Sequence, residues 1–412
     1  MRFCENSYEE EKNNMPRAKK SLLTVFNRNL DMVKPSAIRA FDNEVSGIPD
    51  ILKLTLGEPD FNVPEHIKQA AKLSITQDDS HYAASNGTFA LRQAITGFLE
   101  NRYELKYDAA TEIIVTVGAT EAIYTVLTSL LNKGDKILLP TPIFPLYIPV
   151  TLVGGGEPVF IDTSTNDFVL SPEMLKEAIQ KHGDSIKAVV LNFPSNPTGV
   201  TYSEAEVKAL ADVLRETNIV VISDEIYSEL TYETAHVSMA KYLPEQTILL
   251  NGVSKSHAMT GYRIGFLAGP AELVAKFSLI HQFTITTATN SAMAAATEAL
   301  STDLGRQDTL QMKAEYQLRR DFIYKTMTSL GFEIPKPAGA FYIFAKIPAG
   351  YLQDDFEFAR DLAHKNKLAV IPGTSFGPGG EGYIRLSYAA SLANLKEAMI
   401  RLTQYMTENK HD

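Results

Sequence analysis

The sequence predicts an α/β protein with a mostly parallel sheet in a large domain and a second, smaller α/β domain. From Ile51 to Leu250, short apolar runs rich in β-branched residues alternate with amphipathic segments of helical period, the pattern of a sheet covered by helices on both faces. Beyond an alanine-rich helical segment the chain changes character, and helices alternate with shorter strands up to Ser387. With 412 residues and 45% hydrophobic content, the chain can bury more than one core. The expected division is a mobile extension over residues 1–20, an arm and part of the small domain over 21–50, the large domain over 51–295 and the small domain over 296–412.

Composition narrows the function. A formal net charge of -10 offers nucleic acid no attractive surface, so small molecules or another protein are the expected partners. The single cysteine, Cys4, excludes an internal disulfide, and the eight histidines form no cluster at metal-ligand spacing. No run approaches the roughly 18 apolar residues of a membrane span, so no membrane association is expected. The first residues lack the apolar core of a secretory signal, and the cytoplasm is the expected location. They mix charges and asparagines without period, and Met15 is a candidate natural start.

In chain order, Ser36 can cap a helix whose apolar positions are Ile38, Phe41 and Val45. Ile51 to Leu56 alternates as a strand and runs into Gly57-Glu-Pro-Asp-Phe61. Gly57 permits close approach of a ligand, though an ordinary turn glycine fits the residues as well. Tyr82 sits in a polar loop, a surface residue on its own merits, before an amphipathic helix from Thr88 to Asn101. Glu112 to Val117 is a buried strand, and Gly118, Ala119 and Thr120 open the next helix. Strand, glycine and helix start make an anion site, because the first amides lack partners and the helix dipole is positive there. After the strand Lys136 to Leu139, a proline-rigid loop carries Phe144, which can offer a flat face to a planar ring or pack in the core. The strand Ala188 to Asn192 leads to Asn196 between two prolines, able to donate its amide to an oxyanion or simply to bond its own turn.

A helix from Ser203 to Glu216 is followed by the strand Ile219 to Ile222 and then Asp224. A carboxylate at the end of an apolar strand lies where α/β folds bind ligands, and burial there demands a cationic partner. Lys255 follows the apolar run Thr247 to Leu250 in Asn-Gly-Val-Ser-Lys-Ser-His-Ala-Met-Thr-Gly-Tyr-Arg-Ile-Gly265. A strand entering a short polar turn presents its amine in a cleft, where desolvation lowers its pKa and frees the lone pair for Schiff-base chemistry. Arg263, between Gly261 and Gly265, is a planar cation where backbone can approach a phosphate. Arg385 stands in the otherwise apolar strand Tyr383 to Ser387 and must meet an anion.

Ser-Lys255 followed by Gly-x-Arg263-x-Gly resembles the lysine motif of the class I and II aminotransferases, which use pyridoxal 5'-phosphate, and the resemblance extends from about Pro35 to the C-terminus. It implies fold type I, Lys255 as the Schiff-base lysine, Asp224 on the ring nitrogen, and Tyr227 and Asn196 on the phenolic oxygen. It further implies Phe144 stacked on the ring and a phosphate held by Gly118, Ala119, Thr120, Ser254 and Arg263. Arg385 would clamp the substrate carboxylate, and the loop at Gly57 would close over it. Tyr82, Gly87, Leu91 and Arg92 match the family's Tyr-x4-Gly-x3-Leu-Arg pattern, in which the tyrosine reaches the partner subunit's phosphate, implying a homodimer with shared active sites.

The wording around Asp224 and Lys255 is most similar to aromatic-amino-acid aminotransferases and relatives acting on N-acetyl-diaminopimelate. The expected reaction moves an amino group from an L-amino acid, aromatic favoured, to a 2-oxo acid such as 2-oxoglutarate. Phe283 to Ser291 lacks the arginine of many dicarboxylate-specific relatives, and Thr120 stands where another subgroup has lysine, both weighing against an aspartate preference. Gly252 replaces a phosphate-binding serine of some relatives, and Tyr262 a common tryptophan. A carbon-sulfur β-lyase shares the fold and the cofactor residues and stands as the alternative.

Overall fold

A computed structural model describes residues 17–410, so Cys4, Met15 and most of the expected extension lie outside the described residues. Among the described residues, twelve strands form three sheets. The large one holds β2 (Ile113–Val117), β3 (Lys136–Thr141), β4 (Glu157–Asp162), β5 (Ile186–Asn192), β6 (Val220–Asp224), β7 (Thr247–Gly252) and β8 (Ile264–Ala268), in the order β2-β8-β7-β6-β5-β3-β4. Neighbours from β4 through β7 run parallel, while β8 is antiparallel to both β7 and β2. The strands read as near-continuous apolar runs because helices cover both faces. Ile113, Val115, Leu249 and Phe266 pack into one cluster, and Ile114, Ile222, Leu250 and Leu267 into another on the opposite face.

The helices start where their caps predict. Ser36 Oγ accepts from Arg39 N at 3.4 Å, and Thr88 Oγ1 from Leu91 N, also at 3.4 Å. Ser203 and Glu206 form a reciprocal capping box on Glu204–Leu214. The alanine-rich helix Asn290–Ser301 leads directly into the helix Asp303–Ser329.

The C-terminal part carries β9 (Tyr342–Lys346), β10 (Leu368–Ala369), β11 (Ile371–Pro372) and β12 (Tyr383–Ser387). Three expectations change here. The strand expected from Ile51 to Leu56 shrinks to β1 (Leu52–Lys53), which pairs parallel with β10 and so sits with the C-terminal residues rather than in the large sheet. The single strand expected over 368–371 splits, because β10 follows β1 while β11 runs antiparallel to β12. The strand pair expected around Gly339 to Phe344 is one strand, β9, paired with β12. Phe41 and Val45 of the helix Ala37–Val45 are buried in the C-terminal core beside Leu395 and Leu402.

Candidate active site

The C-terminal edge of the large sheet gathers the ends of β2, β5, β6 and β7. Because β8 runs the other way, the residue before it, Arg263, returns to the same edge. Gly118 has φ +73 and starts the helix Gly118–Leu130, so Ala119 and Thr120 lie in the first turn, whose amides have no intrahelical partner. A Cβ on Gly118 would collide with Arg263 Nη2, so the guanidinium lies against the helix start only because this residue is glycine. Arg263 itself has φ +55, and its Nη1 donates to Thr260 O at 2.8 Å. Helix dipole, free amides and guanidinium therefore converge as a phosphate cradle.

Lys255 was expected in a polar turn and instead rides on a single helical turn, Val253–Ser256, directly after β7. Its Nζ donates to Gly57 O at 2.5 Å and stands 5.9 and 5.7 Å from the ring centres of Tyr227 and Phe341. A Cβ on Gly57 would run into the Tyr342 hydroxyl, so glycine allows the loop to lie this low over the amine. Burial lowers the Lys255 ammonium from 10.5 to about 8; Arg263 and Arg385 push the same way, and Glu58 and Asp224 oppose them.

Asp224 closes β6 and is fully enclosed. Burial raises its carboxyl from 3.8 to about 6, against the pull of hydrogen bonds from Tyr147 Oη to Oδ2 at 2.6 Å and Ile226 N to Oδ1 at 3.2 Å. Neither bond is to a cation, so the carboxylate is equipped for one that the protein does not supply. The hydroxyls of Tyr227 and Tyr342 pair at 2.7 Å, and burial pushes both phenols upward. Arg385 donates through Nη1 to Asn196 Oδ1 at 3.0 Å and through Nη2 to Thr55 O at 2.5 Å. It lies 4.6 and 4.8 Å from the ring centres of Tyr342 and Phe376, and its Nε is buried without a partner. An orphaned buried N–H on a guanidinium is a place made for an anion.

These groups face a cleft of about 260 Å³ that includes Phe144, Asn196, Asp224, Tyr227, Lys255 and Arg385. It adjoins a second of about 360 Å³ that includes Ser254, Lys255 and Arg263. Of the expected site residues, Gly118 and Tyr82 line neither cleft; Gly118 lies against Arg263, whereas Tyr82 is elsewhere and 85% exposed. Sequence reasoning missed Tyr147, Tyr342 and Thr55, which hold Asp224, Tyr227 and Arg385, and it missed Arg39, which also lines the cleft. Tyr147 stood in the same proline-rich loop as Phe144, whose ring it meets edge-on at 6.2 Å, but only burial tells the two aromatics apart.

The amine, the buried carboxylate without a cationic partner and the anion cradle fit the aldehyde, the ring nitrogen and the phosphate of one molecule, which defines the class: an enzyme that works through pyridoxal 5'-phosphate. Residues 49–402 match the family Aminotransferase class I and II, and the chain belongs to it. It is 41% identical over 378 residues to the probable N-acetyl-LL-diaminopimelate aminotransferase of Bacillus subtilis, covering 92% of this chain and 95% of the relative. It is 35% identical to the aromatic-amino-acid aminotransferase 2 of Thermococcus litoralis, covering 92% and 98% of the two chains. The solved aspartate aminotransferase of Thermus thermophilus with maleate superposes with a TM-score of 0.87 at 34% identity, over 92% of this chain and 99% of that one. The protein is thus a fold type I, pyridoxal-phosphate-dependent transaminase whose substrates are amino acids and 2-oxo acids.

Proposed function

We propose that this transaminase takes aromatic or similarly apolar L-amino acids as donors and passes the amino group to a 2-oxo acid such as 2-oxoglutarate. The observation that carries this reading is the lining of the cleft, in which Ile38, Leu56, Ile123 and Phe144 offer apolar surface to a substrate side chain. The name of the Thermococcus relative supports it. An acyl-diaminopimelate donor is the second reading, supported by the name of the Bacillus relative.

The bound cofactor supplies a ring that accepts the electrons left on substrate Cα and carries the amino group between the two substrates. In this reading Lys255 Nζ would hold the cofactor by its aldehyde and would carry the substrate Cα proton, a task for which an amine lowered by burial to about 8 is suited near neutrality. Asp224 holds a proton on the ring nitrogen, and Tyr147 keeps the carboxylate in place. Tyr227 and Asn196, held by Tyr342 and Arg385, would meet the phenolic oxygen. Phe144 would lie against the ring, and Gly118, Ala119, Thr120, Ser254 and Arg263 would hold the phosphate. Arg385 binds the substrate α-carboxylate, with Gly57 and its loop shielding the amine from water.

Tyr82 has no role within its own subunit, and its exposure fits a residue that completes a partner's phosphate site. Leu23, Val25, Phe26 and Phe283 are 65%, 71%, 62% and 87% exposed, supporting burial in a homodimer. The cytoplasm, where amino acids and oxo acids are pooled, is the location this reading implies. Lys255→Ala tests the core of the assignment. The variant should bind the cofactor without the Schiff-base absorption and lose at least about 100-fold in turnover; substantial turnover would refute it.

A further inference from the structure

Resting on the reading of Arg385 as the α-carboxylate site, we infer that Arg39 binds the distal carboxylate of a dicarboxylic substrate and so fits the site for an acceptor of the 2-oxoglutarate kind. The helix Ala37–Val45 carries three charged side chains, Arg39, Asp42 and Glu44. Glu44 is taken by Arg360, Nε to Oε1 at 2.6 Å and Nη2 to Oε2 at 3.2 Å. Asp42 is one turn from Arg39 and would be its natural partner. Its carboxylate is spoken for, by Lys53 Nζ at 3.2 Å and Thr55 Oγ1 at 2.5 Å. Arg39 alone is left without a side-chain partner among the described residues, and it lines the cleft that holds Lys255 and Arg385.

An exposed arginine is ordinarily no more than a solvated cation. Here its helix is tied to the substrate-binding machinery. Thr55 gives its carbonyl to Arg385 Nη2 and its hydroxyl to Asp42, so one residue fixes the helix bearing Arg39 relative to the guanidinium that meets the α-carboxylate. The cleft then holds three cations, Arg39, Lys255 and Arg385, against one carboxylate, Asp224, in a chain of net charge -10. A substrate with one carboxylate answers one arginine; a second carboxylate answers the other, bidentately where the planar fork allows. Ile38, next to Arg39, lines the same cleft, so an aromatic side chain and a distal carboxylate can be received in turn. That is what a transaminase with unlike donor and acceptor requires.

Calorimetric titration of the holoenzyme with unreactive acids tests this without catalysis. Glutarate and valerate have the same chain length and differ by the second carboxylate; succinate with butyrate and adipate with caproate extend the comparison. In Arg39→Gln the dicarboxylate-to-monocarboxylate affinity ratio should fall about tenfold or more at the best length, and Arg39→Lys should recover part of it. A ratio in Arg39→Gln that stays within about twofold of wild type at every length would overturn the inference. So would an equal loss for both acids, because Arg39 would then serve only the position of its helix. Arg385→Gln separates this from the reading beneath it: both acids should weaken there, and undiminished binding of both would mean that Arg385 is not the carboxylate site.

Discussion

A lysine held near 8 by burial carries a poorly solvated charge at pH 7 whenever the cofactor is absent, so the cofactor-free protein gives up stability to keep Lys255 ready. The folded value lies below the unfolded 10.5, so the unfolded chain binds more protons between the two; the penalty is full below about 8 and fades as pH rises toward 10.5. Cofactor-free Lys255→Met should therefore be more stable than the parent at pH 7 by about 3 kcal/mol, and denaturant melts at higher pH should show the gap closing. A Lys255→Met protein no more stable at pH 7 would contradict the burial argument. Asp224 behaves in the opposite sense. Its folded value of about 6 exceeds 3.8, so its contribution is present below 3.8 and is lost as pH climbs through 6. Tyr147→Phe removes the hydrogen bond that opposes this rise, so the Asp224 titration in the cofactor-free protein should move further up, read by NMR of the labelled carboxyl. At this scale much was legible, because a lysine after an apolar strand, an aspartate closing another and an arginine inside a third are anomalies of polarity. Tyr342 and Thr55 were not, since a tyrosine in an aromatic strand and a threonine in a short one break no rule until their partners are known.

The phosphate cradle is built by elements. It needs the residue after β2, where the next helix starts, to take a positive φ, and β8 to run antiparallel so that Arg263 lies over the junction. Gly118→Ala strains the backbone and displaces the guanidinium. Cofactor affinity should fall about 10- to 100-fold, measured by fluorescence titration, corresponding to a cost of about 1 to 3 kcal/mol. Unchanged affinity would remove Gly118 and Arg263 from the cradle. The strand-glycine-helix junction was legible because it is contiguous. The reversal of β8 and the pairing of β1 with β10 were not. Hydrophobic period does not encode strand direction, and a strand as short as Leu52–Lys53 shows no period at all.

Taken as a whole, the molecule leaves Tyr82 and several large apolar side chains exposed while its own cleft holds the rest of the expected site. If two chains share each site, neither Lys255→Ala nor Tyr82→Ala should form full sites alone. Refolding the two variants together should restore about a quarter of the sites, since half of the dimers are mixed and one site in each mixed dimer is intact. Recovery no greater than the sum of the separate variants would point to self-contained subunits. The change of pattern after the alanine-rich helix was legible in the sequence, whereas the pairing of Leu52–Lys53 with the C-terminal strands required the fold. The account stands or falls on the absorption spectrum of the cofactor-loaded protein as single L-amino acids are added without an oxo acid. It predicts that phenylalanine or tyrosine converts the Schiff-base band to that of the aminated cofactor, that 2-oxoglutarate restores it, and that Lys255→Ala does neither. A band that no amino acid alters, or pyruvate and ammonia released from cystathionine without amination of the cofactor, would contradict it.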